Sequence, residues 1–147
     1  MDIESYLSGY VDGEGCFCIS FNKSSRHSFG WEIRPSFSVS QNSNRREVLK
    51  IMKKYFKCGN IRPDRSDKTL KYEVRSTKEL IEKIIPHFEK APLLSGKQDD
   101  FEYFSKICKL IEKKEHLSKK GFGQILKLAF KMNPSGKRKF SQGEIKI

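Results

Sequence analysis

Residues 16–22 and 31–40 alternate apolar and polar side chains with period two, and that pattern restricts this basic chain of 147 residues to a few folds. In the first segment Phe17, Ile19 and Phe21 lie on one side, with Cys16, Cys18, Ser20 and Asn22 on the other. In the second, Trp31, Ile33, Pro35, Phe37 and Val39 face one way and Glu32, Arg34, Ser36, Ser38 and Ser40 the other. A period of two belongs to strands, so each segment predicts a strand with one dry face and one hydrogen-bonding face. Pro35 has no ladder donor, which predicts a sheet edge or a bulge at that point. Residues 23–30 form a polar loop with Lys23, Arg26 and His27.

The flanking segments have helical spacing. Ile3, Leu7, Tyr10 and Val11 recur every three or four residues, and Gly13 and Gly15 predict a left-handed C-terminal cap. Asn42 or Asn44 suits the start of a helix over about 45–57, with Val48, Ile51, Met52, Tyr55 and Phe56 inward. Residues 59–62 and 70–75 read as a second strand pair, joined through Pro63, Asp64, Arg65, Ser66 and Asp67. Ser76 and Glu79 suit a capping box for a helix bearing Leu80, Ile81, Ile84 and Ile85, which Pro86 ends or kinks. The order helix, two strands, helix, two strands, helix predicts an α+β fold: a four-stranded, mainly antiparallel sheet with helices on its dry face. Two further helices follow, at 99–114 (Phe101, Phe104, Ile107, Cys108, Ile111) and about 122–132 (Ile125, Leu128, Ala129, Met132). The whole reads as one domain over 1–147, with a core to residue 114 and a C-terminal helix and basic tail over 115–147. The tail, Asn133 to Lys139, suits either phosphate contact or solvation.

Thirty Lys and Arg against eighteen Asp and Glu give a net charge of +12, the electrostatic footprint of a nucleic-acid binder. An anionic membrane fits less well, since no segment sets its charge on one helix face opposite a large apolar face. No apolar run is long enough to cross a bilayer and the acidic start lacks a secretory signal, so an intracellular protein is expected. Cys16, Cys18, Cys58 and Cys108 lack CxxC spacing, which predicts reduced thiols. Cys16 and Cys18 face the same way but fall short of the roughly four ligands of a closed zinc site. Residues 1–15 oppose the overall charge: Asp2, Glu4, Asp12 and Glu14 stand there with no cation.

Asp12 and Glu14 stand near the end of the stretch Leu7-Ser8-Gly9-Tyr10-Val11-Asp12-Gly13-Glu14-Gly15, whose Gly9 and Gly13, with Ser5 extending the row, form a ridge poor in side chains. By residue type alone, Asp-Gly and Glu-Gly are also ordinary turn chemistry. The nonapeptide resembles the signature of the LAGLIDADG homing endonucleases, with Ser8 for an Ala, Gly13 for the second Ala and Glu14 for the final Asp. The likeness continues through Phe37-Ser38-Val39-Ser40-Gln41 into Arg45-Arg46, the strand at 59–62, Pro92-Leu93-Leu94-Ser95-Gly96-Lys97, Met132-Asn133 and Gly136-Lys137-Arg138.

The resemblance implies an αββαββα fold with a saddle-shaped sheet, and a mobile-intron gene in a bacterium, archaeon, chloroplast or mitochondrion. It implies a site-specific double-strand DNA endonuclease of the single-motif, homodimeric class. Ser5, Gly9, Asp12 and Gly13 would line the seam between two copies, an isologous contact suited to a near-palindromic target. Glu14, with the Gly13 carbonyl, would bind Mg²⁺. Two such carboxylates about 6 Å apart repel by roughly 3 kcal/mol at an effective dielectric of about 20, so a cation belongs between them. Gln41, Arg45 and Lys97 would position water and stabilise charge, with Ser95 or Gln98 as alternatives to Lys97. Ser20, Asn22, Lys23, Arg26, Glu32, Arg34, Ser36 and Ser38 would read DNA from the first strand pair, and Asn60, Arg62, Lys71, Glu73 and Arg75 from the second. The competing reading on the same scaffold is a non-cutting DNA-binding regulator or an RNA-binding splicing maturase.

Overall fold

The computed structural model describes residues 1–66, 68–133, 136 and 138–147; Asp67 of the polar loop and Pro134, Ser135 and Lys137 of the basic tail lie outside the described residues. Helix α1 (Ile3–Glu14) runs straight into β1 (Gly15–Lys23), and β2 (Trp31–Asn42) returns alongside it. Then come α2 (Glu47–Phe56), β3 (Asn60–Pro63) and β4 (Thr69–Val74). The next helical rod comprises α3 (Thr77–Glu79), a π turn (Leu80–Ile84) and α4 (Ile85–Lys90), and α5 (Lys97–Glu112) and α6 (Lys119–Ala129) follow. The strand order is β1-β2-β4-β3 and every neighbouring pair is antiparallel, so the sheet is antiparallel throughout.

The alternation in β1 and β2 builds the core. Phe17 packs against Phe37 of β2 and against Phe88, Phe101 and Phe104 from α4 and α5, with ring centroids 5.3–5.4 Å apart. Phe37 meets Phe56 of α2, and Phe21 meets Phe122 of α6. The helices therefore share the dry face, where burying each such ring contributes about 2 kcal/mol.

Several expectations change for local physical reasons. Gly13 lies within α1, and Gly15 is extended (φ −88°, ψ 168°), so neither is a left-handed cap. Gly15 is required because a Cβ there would stand 2.5 Å from Val11 Cγ1 and 2.9 Å from the Val11 carbonyl oxygen. Pro35 sits in a central strand, but β4 pairs only with Phe37–Asn42, so β2 has a neighbour on one side alone at Pro35. Pro86 does not end its helix. It lacks an N–H and its ring crowds the carbonyl four residues back; the helix widens into the π turn just before it, where the Ile85 N–H reaches the Leu80 carbonyl. In α2 the inward residues are Leu49, Met52 and Phe56, while Ile51 is 42% exposed.

The tail has a structural role. β1 is an edge strand, and its outward carbonyls at Phe17 and Ile19 accept from Asn133 Nδ2 (2.9 Å) and Arg138 Nη1 (2.7 Å). Arg138 also donates to the Ala129 carbonyl at 2.6 Å and stacks 4.6 Å from the Phe130 ring centroid. Phe140 then packs on Trp31. Arg138 thus covers a sheet edge that would otherwise offer free ladder groups.

Candidate active site

The two acids that close α1 differ in their surroundings. Asp12 accepts from the backbone N–H groups of Leu94 and Ser95, both at 3.1 Å, and from the Ser95 hydroxyl. Those donors, the Ser95 hydroxyl foremost, hold its carboxyl below the ordinary aspartate value. Asp12 therefore ties α1 to the segment that leads into α5, engaging its side chain within its own chain. Glu14, two residues on, is exposed and has no hydrogen-bond or ion-pair partner among the described residues.

Lys97 comes to the same point from the start of α5. Its Nζ donates to the Val11 carbonyl (3.0 Å) and the Gly15 carbonyl (2.6 Å), on either side of Glu14. A cation there offsets the negative end of the α1 dipole. The two alternatives to Lys97 are engaged otherwise: Ser95 on Asp12, and Gln98 through its Oε1 on the Leu93 N–H. Gln41 follows from the strand register. Val39 lies opposite Gly15, so Gln41 stands two residues, about 7 Å, beyond the end of β1 and on the helix side of the sheet. Its Nε2 donates to the Tyr10 hydroxyl of α1 at 2.6 Å. Arg45 lies on the exposed turn after β2, and no hydrogen bond or ion pair among the described residues joins it to Glu14, Gln41 or Lys97.

The outer side of α1 is open. Ser5, Gly9 and Gly13 are exposed, and a Cβ at Gly9 or Gly13 would meet nothing within 4 Å. The inner side explains the departure of Ser8 from the motif's Ala. The Ser8 hydroxyl donates to the Ala91 carbonyl at 2.5 Å and lies 3.0 Å from His87 Nε2, while Tyr55 OH lies 3.1 Å from His87 Nδ1. With the Ser8 proton on Ala91, His87 donates from Nε2 and accepts at Nδ1, a fully satisfied neutral imidazole. Burial holds its pKa below the ordinary histidine value.

Across the sheet, directly opposed residues share a face. Cys16, Ser38, Glu73 and Asn60 form one row, and Ser40, Lys71 and Arg62 the next; Cys18 faces Ser36, Ser20 faces Arg34, and Asn22 faces Glu32. This register resolves the second strand pair: Asn60, Arg62, Lys71 and Glu73 join the polar face. Arg75 lies just past β4 and returns to Glu73 at 3.0 Å, beside Arg62 at 3.1 Å. Arg34 pairs with Glu32 at 3.0 Å, and Lys71 with Asp64 at 3.5 Å. Lys23 is a correction. It opposes Trp31, on the dry-face parity, and its Nζ sits 5.5 Å from the Phe140 ring centroid, so it leaves the polar face. Arg26 is exposed in the loop.

The sequence reading gave Tyr10, Asp64 and His87 no role at the site. Each acts through a partner at least 24 residues away (Gln41, Ser40, Ser8), and only the polar hydroxyl in the Ser8 position of the motif hinted at one of them. Among the described residues no three His, Cys, Asp or Glu side chains gather to hold a metal ion, and no helix is long and apolar enough to cross a membrane. One chain thus brings one exposed carboxylate, Glu14, and a neighbouring carbonyl, Gly13: hard oxygen donors that fit part of an Mg²⁺ shell.

Comparison with known proteins agrees with this geometry. The LAGLIDADG endonuclease family matches residues 7–108. A probable intron-encoded endonuclease of Neurospora crassa is 30% identical over 88% of this chain and 29% of its own length. The chain spans under a third of the length of the fungal relatives it matches. Among solved structures, the homing endonuclease I-TnaI superposes with a TM-score of 0.83 at 34% identity, covering 88% of this chain and 87% of its own. I-SmaMI, bound to an uncleaved DNA target with calcium ions, superposes with a TM-score of 0.87 at 29% identity, over 92% of this chain and 46% of its own. Motif, sheet and match coincide, and the chain belongs to the LAGLIDADG endonuclease family.

Proposed function

We propose that this chain is one half of a site-specific double-strand DNA endonuclease, completed by a second copy across α1. The observation that carries the reading is the contrast at the end of α1: Asp12 is held by three donors, while Glu14 is exposed and without a partner among the described residues, with the Lys97 ammonium on the carbonyl of the next residue. Two copies crossing along Ser5, Gly9 and Gly13 would bring two Glu14 carboxylates together on a two-fold axis. The polar sheet faces would then sit in successive major grooves of a near-palindromic site. That I-SmaMI carries this fold on DNA supports the choice of ligand.

Mg²⁺, held by Glu14, the Gly13 carbonyl, the second Glu14 and phosphate oxygens, would supply charge neutralisation and water activation. The chain's own groups do the rest. Lys97 reduces the negative potential at the helix end where the anionic phosphate must approach. Gln41, anchored on Tyr10, presents an amide to orient the attacking water, and Arg45 adds a cation beside the scissile phosphate. On the sheet, Arg34, Arg62 and Arg75 hold fixed forks because Glu32 and Glu73 brace them, and such forks suit guanine edges. Ser20, Asn22, Ser36, Ser38 and Asn60 offer neutral donors and acceptors between them.

Incubation of the protein with a plasmid library and Mg²⁺ tests the reading. The parent should yield metal-dependent linear product and Glu14→Gln far less; tight, selective binding by the parent with no cutting overturns it. Sizing in solution and on DNA should give a dimer, and a monomer on DNA would overturn the two-fold arrangement.

A further inference from the structure

We propose that α2 carries a second, sequence-independent surface for the phosphate backbone of duplex DNA, on the side of the sheet away from the polar strand face. Residues 45–57 hold six cations, Arg45, Arg46, Lys50, Lys53, Lys54 and Lys57, against one acid, Glu47. This short segment supplies five of the twelve net positive charges. Lys50, Lys53, Lys54 and Lys57 recur three or four residues apart, so they line one side of the helix, and all four are exposed. The other side, Leu49, Met52 and Phe56, is buried against the sheet. Contrary to the sequence reading, charge is therefore concentrated on one helix face.

Among the described residues no ion pair includes Arg46, Lys50, Lys53, Lys54 or Lys57. A further lysine joins the stripe at its end: Lys83 Nζ donates to the Lys57 carbonyl at 2.9 Å. Like charges at i and i+4 repel, so the stripe weakens its own helix, and a bound polyanion relieves that repulsion. A shallow groove between the lysines, Cys58 and Ile61 runs alongside.

The chemistry of the ridge selects among polyanions. A bilayer would need the apolar side of α2, which is sealed in the core. Unpaired RNA is held by exposed rings on which bases stack, and the two rings between Lys54 and Lys57 turn inward, Tyr55 with its hydroxyl on His87 and Phe56 buried in the core. Lysines without Asn, Gln or Arg forks bind phosphates and carry no base readout, as the regular backbone of a duplex requires. The ridge is independent of whether Glu14 cuts, and it would let the protein hold non-target DNA while the sheet face is occupied or searching.

The test is the salt dependence of binding to a short random-sequence duplex, between about 50 and 200 mM salt. Replacing Lys50, Lys53, Lys54 and Lys57 together by Gln should lower the slope of log K against log salt by about three to four, since each phosphate contact contributes about 0.9. The same four changed to Arg should restore the slope. Changing Lys106, Lys113, Lys114 and Lys120 to Gln, an equal loss of charge elsewhere, should leave most of it. An unchanged slope in the α2 variant, or an equal fall in the control, overturns the proposal. So does a defect confined to an RNA hairpin or to phosphatidylserine vesicles. Circular dichroism verifies that each variant keeps its fold, and these outcomes do not depend on cleavage.

Discussion

The two sides of the sheet are both rich in cations and use them differently. On the strand face Arg34, Arg62, Lys71 and Arg75 each have an acid within 3.0–3.5 Å, whereas on α2 Lys50, Lys53, Lys54 and Lys57 have none among the described residues. A braced guanidinium has a fixed direction and little net charge around it, which suits discrimination between base edges. An unbraced lysine is a mobile point charge, which suits attraction without discrimination. Net charge alone does not distinguish these surfaces; the placement of three carboxylates, Glu32, Asp64 and Glu73, does.

The largest expected effect lies at the rim of the strand face. Glu14→Gln should lower cleavage by about 10²- to 10³-fold, the scale for removing a group that acts on transition-state charge, while leaving binding to either surface intact. A matching loss of binding would mean that the end of α1 belongs to recognition and not to chemistry. Next, Arg34→Ala should relax base preference by about 1–3 kcal/mol at one position of a selected site, read by selection from randomised duplexes, with a salt slope changed by about one at most. The α2 lysine variant should do the reverse, keeping the selected consensus and losing slope. If both variants change both readouts, the two sides are one surface.

Smaller effects concern what joins the sides. Asp12→Asn removes the charge from three hydrogen bonds between α1 and the lead into α5, and should lower stability by about 2 kcal/mol in urea melts at neutral pH. The Asp12 carboxyl titrates below its ordinary value when folded. Its contribution is therefore present above the unfolded value near 3.8 and lost as pH falls through the folded one, so parent and variant should converge in acid. His87 has the same sign for a different reason. Its folded pKa is held below 6.5 by burial, so the unfolded chain takes up the proton first and stability should fall as pH drops below about 6.5. One such group contributes a slope of at most about 1.4 kcal/mol per pH unit, and His87→Gln should flatten it in thermal melts at pH 7.5 and 5.5. Neither change should alter the contrast between the strand face and α2.

Local pattern carried much of this architecture. The alternation of Phe17, Ile19 and Phe21 against Cys18, Ser20 and Asn22 defines a half-buried strand wherever it is placed, because side-chain direction in a strand depends only on parity. The nonapeptide from Leu7 to Gly15 likewise marked an open ridge and two terminal acids before any fold was known. Lys23, placed by the sequence reading in the loop, is instead the last residue of β1, where parity turns it to the dry side, and Arg75, just past β4, still returns to Glu73. Helix limits moved by a few residues, since the hydrogen bonds that end a helix come from neighbours the spacing does not contain.

What the chain alone determined, then, is which residues are apolar together, in what period, and that a rare acidic end closes an otherwise basic protein. The resemblance already set Asp12 and Glu14 apart; only the tertiary structure supplied the partners at that end. Asp12 meets donors 82 and 83 residues away, Lys97 reaches carbonyls 86 and 82 residues back, and Arg138 closes a strand edge 119 residues earlier. Hydrogen bonding and ion pairing act over about 3 Å of space regardless of sequence separation, so whether a charged residue is braced, buried or free is decided by the fold.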